Sequence, residues 1–159
     1  MAVSDTDRRF LTLAVELAER ALTAGDEPFG SVLVSAEGEV LFEDHNHVAG
    51  GDATRHPELA IARWAAANLA RETRRCCVVY TSGEHCPMCA AAHGWVGLGR
   101  IVYASSSAQL AGWLDALGVA PGPVATLPIT TIVPDAVVDG PDEALAERVR
   151  LLHIARHAN

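Results

Sequence analysis

The fold is decided by the stretch of residues 78–92, which reads VVYTSGEHCPMCAAA. It begins with an apolar run typical of a buried strand, passes through a turn and continues as an Ala-rich helical pattern. The turn carries Cys86 and Cys89, so both thiols lie on the first turn of the predicted helix and can converge on one ion. The backbone N–H groups at a helix N-terminus favour thiolates, which suits the pair to hold a cation.

A second stretch, His56-Pro57-Glu58, opens another helical pattern upstream. One His and two Cys supply three ligands for a tetrahedral zinc ion and leave the fourth position open to water. Glu58 is not one of the three ligands, so it is free to move protons. In an ideal helix His56 and Glu58 would lie roughly 200° apart, but a helix start is not yet regular, so both can face one site.

Two other interpretations of the thiols stay open. A Cys-x-x-Cys after a strand is also typical of thioredoxin-like redox proteins, so a thiol redox protein using Cys86 and Cys89 is an alternative. That alternative predicts a low pKa for Cys86 and no bound metal. A structural zinc site would need a fourth protein ligand, for which His85 and His93 are the nearest candidates.

The bulk composition predicts one globular domain over residues 1–159. Half of the residues are hydrophobic, a fifth are charged, and the formal net charge is −8. An acidic balance disfavours nucleic acid as a partner, because phosphate contacts need a basic surface. We expect no membrane span, because no apolar run approaches the ~18 residues that one needs. The N-terminus lacks a signal-peptide pattern and the cysteines do not suggest a disulfide framework, so a cytoplasmic location is expected.

The order of elements predicts an α/β fold, with helices in two layers around a five-stranded mixed sheet. Helices are predicted over residues 4–25, 56–71, 86–98, 108–117 and 142–157. Strands are predicted over residues 31–34, 40–42, 77–81, 101–103 and 130–133. Cys76 and Cys77 are expected to fill the core beside the third strand, and His153 and His157 to lie on the surface.

With these residues in place, the sequence resembles the cytidine-deaminase-like zinc superfamily, above all its guanine-deaminase and tRNA-adenosine-deaminase branch. The resemblance covers roughly residues 8–105 and rests on four motifs of this chain: PFGSV at 28–32, DHN at 44–46, DATRHPE at 52–58 and EHCPMCA at 84–90. The last two correspond to the H-x-E and P-C-x-x-C signature of zinc deaminases, with His85 in place of the first Pro.

The resemblance implies a role for each matching residue. His56, Cys86 and Cys89 would bind Zn²⁺, and Glu58 would be the catalytic proton shuttle. Substrate contacts would come from four further residues: Phe29, Asn46, Pro57 and Trp95. It also implies a homodimer, with a C-terminal segment that in guanine deaminases is swapped onto the partner's site.

The expected function is therefore zinc-dependent hydrolytic deamination of a small aminated heterocycle. Guanine or a related purine comes first, followed by cytosine-type bases, nucleosides and triazine-like analogues. A tRNA-adenosine deaminase is the second hypothesis, which the acidic charge disfavours. The chain departs from the family pattern at Pro57, at His85 and in a loop before His56 that is one residue short, and these departures bear on the pocket rather than on the zinc chemistry.

Overall fold

The computed structural model describes residues 2–158, which form seven α-helices, a short 3₁₀ turn and five β-strands. The helices are α1 (Asp5–Thr23), α2 (Pro57–Asn68), α3 (Arg71–Cys76), α4 (Pro87–Val96), α5 (Ser107–Ala116), α6 (Ile129–Ile132) and α7 (Glu143–Arg156). The strands are β1 (Gly30–Val34), β2 (Val40–His45), β3 (Val78–Gly83), β4 (Ile101–Ser105) and β5 (Val138–Asp139), and the 3₁₀ turn is Val48–Gly50.

The strands form one mixed sheet in the order β2-β1-β3-β4-β5. The β1 strand pairs antiparallel with both β2 and β3, whereas β3–β4 and β4–β5 are parallel. Parallel neighbours need crossover connections, and α4 supplies the one between β3 and β4. The expected five-stranded mixed sheet is thereby confirmed.

Alternating side chains of the central strands bury both faces of the sheet, which gives the three layers. On one face Val32, Tyr80 and Val102 pack against α1 and α7. On the other face Leu33 and Val79 pack beneath α2, and Ile101 packs beneath α4 and α6. The two helices that carry the candidate ligands therefore lie on the same face of the sheet and contact each other.

The prediction of a fifth strand at residues 130–133 is wrong. Those residues lie in or next to α6, which begins after Pro128, while the fifth strand is Val138–Asp139. A two-residue strand is too short to show a period, and Ile129 anchors α6 in the core.

The predicted helix over residues 56–71 is two helices. Leu69 and Ala70 are extended, and Arg74 of α3 donates to the backbone carbonyls of Leu69 and Val96 at 2.9 Å. This break places Cys76 in α3, where it is exposed, so only Cys77 fills the core as expected.

His153 is buried, with 3% of its surface exposed, so the prediction that it lies on the surface is wrong. Its ring lies 5.1 Å from the ring of Phe29 and 6.3 Å from that of Trp113, measured between centroids. The helix α7 therefore packs onto its own chain behind the start of β1. None of the described helices is long and apolar enough to cross a membrane.

A buried carboxylate joins the start of α1 to the sheet. Asp7, only 4% exposed, accepts from Arg100 at 2.8 and 3.1 Å, from the Tyr80 hydroxyl at 2.9 Å and from the Ser4 backbone N–H at 2.9 Å. Burial alone would raise the pKa of Asp7, but these donors, Arg100 above all, hold it well below the ordinary value. The ionised form is thus favoured by the fold.

We predict that Asp7→Asn lowers the free energy of unfolding by about 2 kcal/mol at neutral pH, because it removes one of the two carboxylates that accept from the Arg100 guanidinium and leaves only Asp139 to pair with it among the described residues. A depressed pKa in the folded state contributes stability above the unfolded pKa near 4 that is lost as pH falls. The variant should therefore be less sensitive to acid between about pH 5 and 3. Urea unfolding across that range measures both effects.

The matched control is Asp5→Asn, because Asp5 pairs with Arg8 on the same helix while fully exposed to solvent. It should leave both stability and its pH dependence nearly unchanged. An Asp7→Asn variant as stable as the wild type at pH 7 would contradict the role assigned to the buried carboxylate.

Candidate metal centre and cavity

The candidate ligands come together where the N-termini of α2 and α4 face each other. His56 is the N-cap of α2 and Cys86 is the N-cap of α4, and both have extended backbones. Each is followed by a Pro at the first helical position, where the missing N–H has no helical partner to lose. Neither N-cap side chain caps its own helix, which leaves the imidazole and the thiol free to face each other.

The distances fit one tetrahedral zinc ion. His56 Nδ1 lies 3.5 Å from Cys86 Sγ and 3.6 Å from Cys89 Sγ. Zn–S bonds near 2.3 Å and Zn–N bonds near 2.1 Å place sulfur and nitrogen ligands about 3.6 Å apart at a tetrahedral angle. These three side chains could therefore hold the ion with little rearrangement.

No fourth ligand closes this site among residues 2–158, because the ligand group contains only His56 and the two cysteines. His85 and His93, the candidates for a structural zinc site, are buried against each other with ring centroids 5.4 Å apart. His93 Nε2 donates to the Gly99 carbonyl at 2.7 Å. The geometry thus favours an open site over a closed structural one.

The surroundings of Cys86 favour its ionised thiolate, which is the form that binds a cation. A hydrogen bond from the Cys89 thiol, followed by the nearby His56, lowers the pKa of Cys86 well below that of a free thiol. The hydrogen bond to Cys86 in turn raises the pKa of His56. In the absence of metal these groups thus share their protons, and a zinc ion would displace them.

Glu58 lies one residue into α2 and is almost fully buried, at 6% exposure. Because His56 is still extended, both side chains line the same cavity, as the sequence predicts for a helix start. Oε1 of Glu58 lies 2.8 Å from Thr81 Oγ1 and 3.0 Å from Ser31 Oγ. Burial raises the pKa of Glu58, and the Thr81 hydroxyl opposes that shift only in part.

The cavity over this group has a volume of about 140 Å³. Its floor is His56, Glu58 and Cys86, and its walls are Phe29, Glu84, Pro87, Ser107, Leu110 and residues 124–127. A space of this size suits one small ring system. None of the described residues that line it is Lys or Arg.

Three of the predicted substrate contacts do not line the cavity. Asn46 is buried behind Phe29, where its Oδ1 accepts from the Val48 N–H at 2.9 Å. Pro57 is buried in the first turn of α2. Trp95 is 85% exposed near the end of α4. Phe29 alone of the four lies in the cavity wall, and the substrate roles of all four stay predictions.

Sequence reasoning missed Glu84 as part of the site. Its carboxylate accepts from the backbone N–H of Ser107 at 2.8 Å and of Ile129 at 2.9 Å. It therefore joins the starts of α5 and α6 and holds the segment 124–127 over the cavity. A carboxylate two residues before the first Cys was visible in the sequence, but its partners are distant in the chain and left no local signal.

Comparison with known protein families identifies the family to which this fold and this ligand set belong. The zinc-binding region of the cytidine and deoxycytidylate deaminases matches residues 4–105. The chain belongs to this family of zinc-binding deaminases, and its His/Cys/Cys group could hold the metal.

Particular relatives differ in the substrates that their names give. The chain is 33% identical over 111 residues to a probable cytosine deaminase of Schizosaccharomyces pombe, which covers 68% of this chain and 65% of that protein. It is 36% identical over 104 residues to the guanine deaminase of Bacillus subtilis, covering 64% of this chain and 66% of that protein. The chain thus spans slightly less than two thirds of either relative.

Solved structures agree on the fold. The structure of the Bacillus subtilis guanine deaminase superposes with a TM-score of 0.57 at 30% identity, covering 76% of this chain and 82% of that one. The guanine deaminase of Nitrosomonas europaea superposes with a TM-score of 0.72 over the whole of this chain and 87% of that one, at 20% identity. The second likeness extends the shared fold to the C-terminal elements.

We predict that Cys86→Ser lowers the thiolate-to-cobalt absorption of protein loaded with Co²⁺ to about half or less, because one of the two sulfur ligands is lost. Near-ultraviolet spectra during a cobalt titration measure this. Cys76→Ser is the control, since Cys76 is exposed on α3 and should keep the full band. A wild-type protein without the band, or a Cys86→Ser variant that retains it in full, would contradict the ligand assignment.

Proposed function

We propose that this protein is a hydrolytic deaminase that converts the exocyclic amine of a small aminated heterocycle to a carbonyl and releases ammonia. The observation that carries the proposal is the buried Glu58 carboxylate beside an open His/Cys/Cys ligand group, both in one small cavity. Zinc held by His56, Cys86 and Cys89 would supply Lewis-acid activation of water. The match to the zinc-binding region of the deaminases supports this proposal over thiol redox chemistry, the alternative function.

Glu58 is suited to accept a proton and then to give it back. In its ionised form, Oε1 accepts from the Thr81 hydroxyl at 2.8 Å. In its protonated form, Thr81 can instead donate to the Gly83 carbonyl, which lies 2.9 Å away, and accept from the carboxyl group. A single hydroxyl rotation thus satisfies both states, so neither proton transfer leaves a buried group unpaired.

The reaction balances through that carboxyl group. Glu58 takes a proton from the attacking water, and the new C–O bond forms at the amine-bearing ring carbon. Glu58 returns that proton to a ring nitrogen. It then carries the proton of the new hydroxyl group to the amine, so that a carbonyl forms as the C–N bond breaks and ammonia leaves. Because the pKa of Glu58 is raised, it lies closer to neutral pH than that of an ordinary glutamate. A group with a pKa near the working pH is effective both as a general acid and as a general base.

Within this class we place guanine or a related purine first and cytosine- or triazine-like rings next. The small, mostly apolar cavity and the Phe29 wall suit a heterocyclic base. The relatives include both a guanine deaminase and a probable cytosine deaminase, so they support a purine and a pyrimidine substrate equally. The −8 charge and a cavity without lining Lys or Arg speak against tRNA adenosine, the second candidate substrate.

We further propose that the protein acts as a cytoplasmic homodimer. All four cysteines are free, which fits a reducing compartment. The large exposed ring of Trp95 is of the kind that a subunit interface covers. We propose that the C-terminal segment is not exchanged between the subunits of this dimer, because α7 packs on α1 of its own chain.

We predict ammonia release from a base in a panel of guanine, adenine, cytosine, their nucleosides and triazines, with zinc-loaded protein. Glu58→Gln should keep its zinc and lose roughly 10²- to 10⁴-fold in kcat, because the proton carrier is gone. Glu72→Gln, a change on the exposed start of α3, is the control and should leave kcat unchanged. Wild-type activity in Glu58→Gln would overturn the proton-shuttle assignment, and release only from tRNA would move the substrate to the second candidate.

We also predict that Thr81→Val moves the acidic limb of the kcat/KM profile to higher pH. Removing the hydroxyl takes away the contact that lowers the pKa of Glu58, so the ionised base appears only at higher pH. Thr81→Ser keeps a hydroxyl at the same place and should restore the wild-type limb. An unshifted limb in Thr81→Val would show that Glu58 does not depend on this hydroxyl.

A further inference from the structure

A second group of metal-ligand side chains lies outside the cavity. Asp26 follows α1, His45 ends β2, and His47 lies two residues further on. One ligand atom from each of the three lies within 4.8 Å of the others. None of these residues lines the proposed active-site cavity.

In each histidine one ring nitrogen already faces an oxygen acceptor, so the other nitrogen is the one that can bind a metal ion. His45 Nδ1 lies 2.9 Å from the Asn46 carbonyl oxygen, which can only accept, so Nδ1 carries the proton and Nε2 keeps its lone pair. His47 Nε2 donates to Asp44 Oδ1 at 2.8 Å, which leaves Nδ1 free. A carbonyl or carboxylate behind the ring is the arrangement that orients metal-binding histidines.

Asp26 supplies a buried negative charge that calls for a cation. It is only 6% exposed, and its one hydrogen bond from a described residue is the Ala49 backbone N–H to Oδ1 at 2.8 Å. Among residues 2–158 no Arg or His forms an ion pair with it. A buried carboxylate without a cationic partner is costly, and a divalent ion between it and two neutral imidazoles removes that cost.

We infer that Asp26, His45 and His47 form a second zinc site, distinct from the one at His56. Two imidazoles and a carboxylate are a ligand set that Zn²⁺ accepts, with water completing the tetrahedron. Zn–N and Zn–O bonds of about 2.0–2.2 Å place such ligands about 3.4 Å apart. Binding would therefore draw the three side chains together from separations of up to 4.8 Å.

An ion at this second site would help to position Phe29 in the wall of the active-site cavity. Asn46 lies between the two histidines, and its backbone N–H donates to the Phe29 carbonyl at 3.0 Å. An ion at this site ties the end of α1 to the end of β2 and fixes the residues that hold Phe29, a wall of the cavity. The inference rests on the geometry around Asp26 and stands whether or not the proposed deamination is correct.

The test is zinc stoichiometry by elemental analysis after equilibration with buffered free Zn²⁺. We expect two ions per chain in the wild type, one in His47→Ala and one in Cys86→Ser. His157→Ala, a change in a histidine at the end of α7, is the control and should keep two. In the cobalt-loaded protein, His47→Ala should retain the thiolate absorption, which shows that the lost ion is the one without sulfur.

A milder variant covers the case in which His47→Ala fails to fold. Asp44→Asn keeps all three ligands but removes the charge behind the His47 ring, and should weaken zinc at this site by roughly 10- to 100-fold. A single zinc per chain in the wild type at saturating free Zn²⁺, or two in His47→Ala, would overturn the inference. Equal affinity in Asp44→Asn and wild type would overturn the role given to Asp44.

Discussion

The structure depends on the close approach of the His56 imidazole, at the start of α2, to the thiols of Cys86 and Cys89 at the start of α4. His56 Nδ1 lies 3.5 Å from Cys86 Sγ and 3.6 Å from Cys89 Sγ, so the positions of both helix starts on the sheet are constrained together. The β3 strand sets one start and the loop after β2 sets the other. The N-cap positions are used for ligands rather than for capping, and the first-position prolines keep both helix starts well defined.

The same convergence explains why Glu58 is buried. The first turn of α2 carries Glu58 inward to the cavity floor, where Ser31 of β1 and Thr81 of β3 contact its carboxylate. Water is largely excluded there, and this raises the pKa of the carboxyl group. A buried acid in contact with two hydroxyls, next to a candidate metal site, is an arrangement that structural stability does not require and that proton transfer uses.

The sequence allowed the centre of the molecule to be predicted more reliably than its edges. The strand-turn-helix at residues 78–92 and the His-Pro-Glu helix start carry strong local signals, and the structure brings His56, Cys86 and Cys89 together as expected. The fifth strand could not be located, because its two residues are too few for a period and the apolar run nearby serves α6 instead. The burial of His153 and the partners of Glu84 arise from contacts between distant segments, which no local pattern encodes.

The central claim is that one zinc ion is held by two sulfurs and one imidazole with an open position, and zinc-edge X-ray absorption tests it most directly. The measurement should use protein loaded with one zinc per chain, because thiolates should make the His56 site the tighter of the two. We predict two sulfur atoms near 2.3 Å and two lighter atoms near 2.0–2.1 Å, with scattering from a single imidazole. A spectrum without sulfur, or with two imidazoles beside two sulfurs, would contradict the open site on which the proposed function rests.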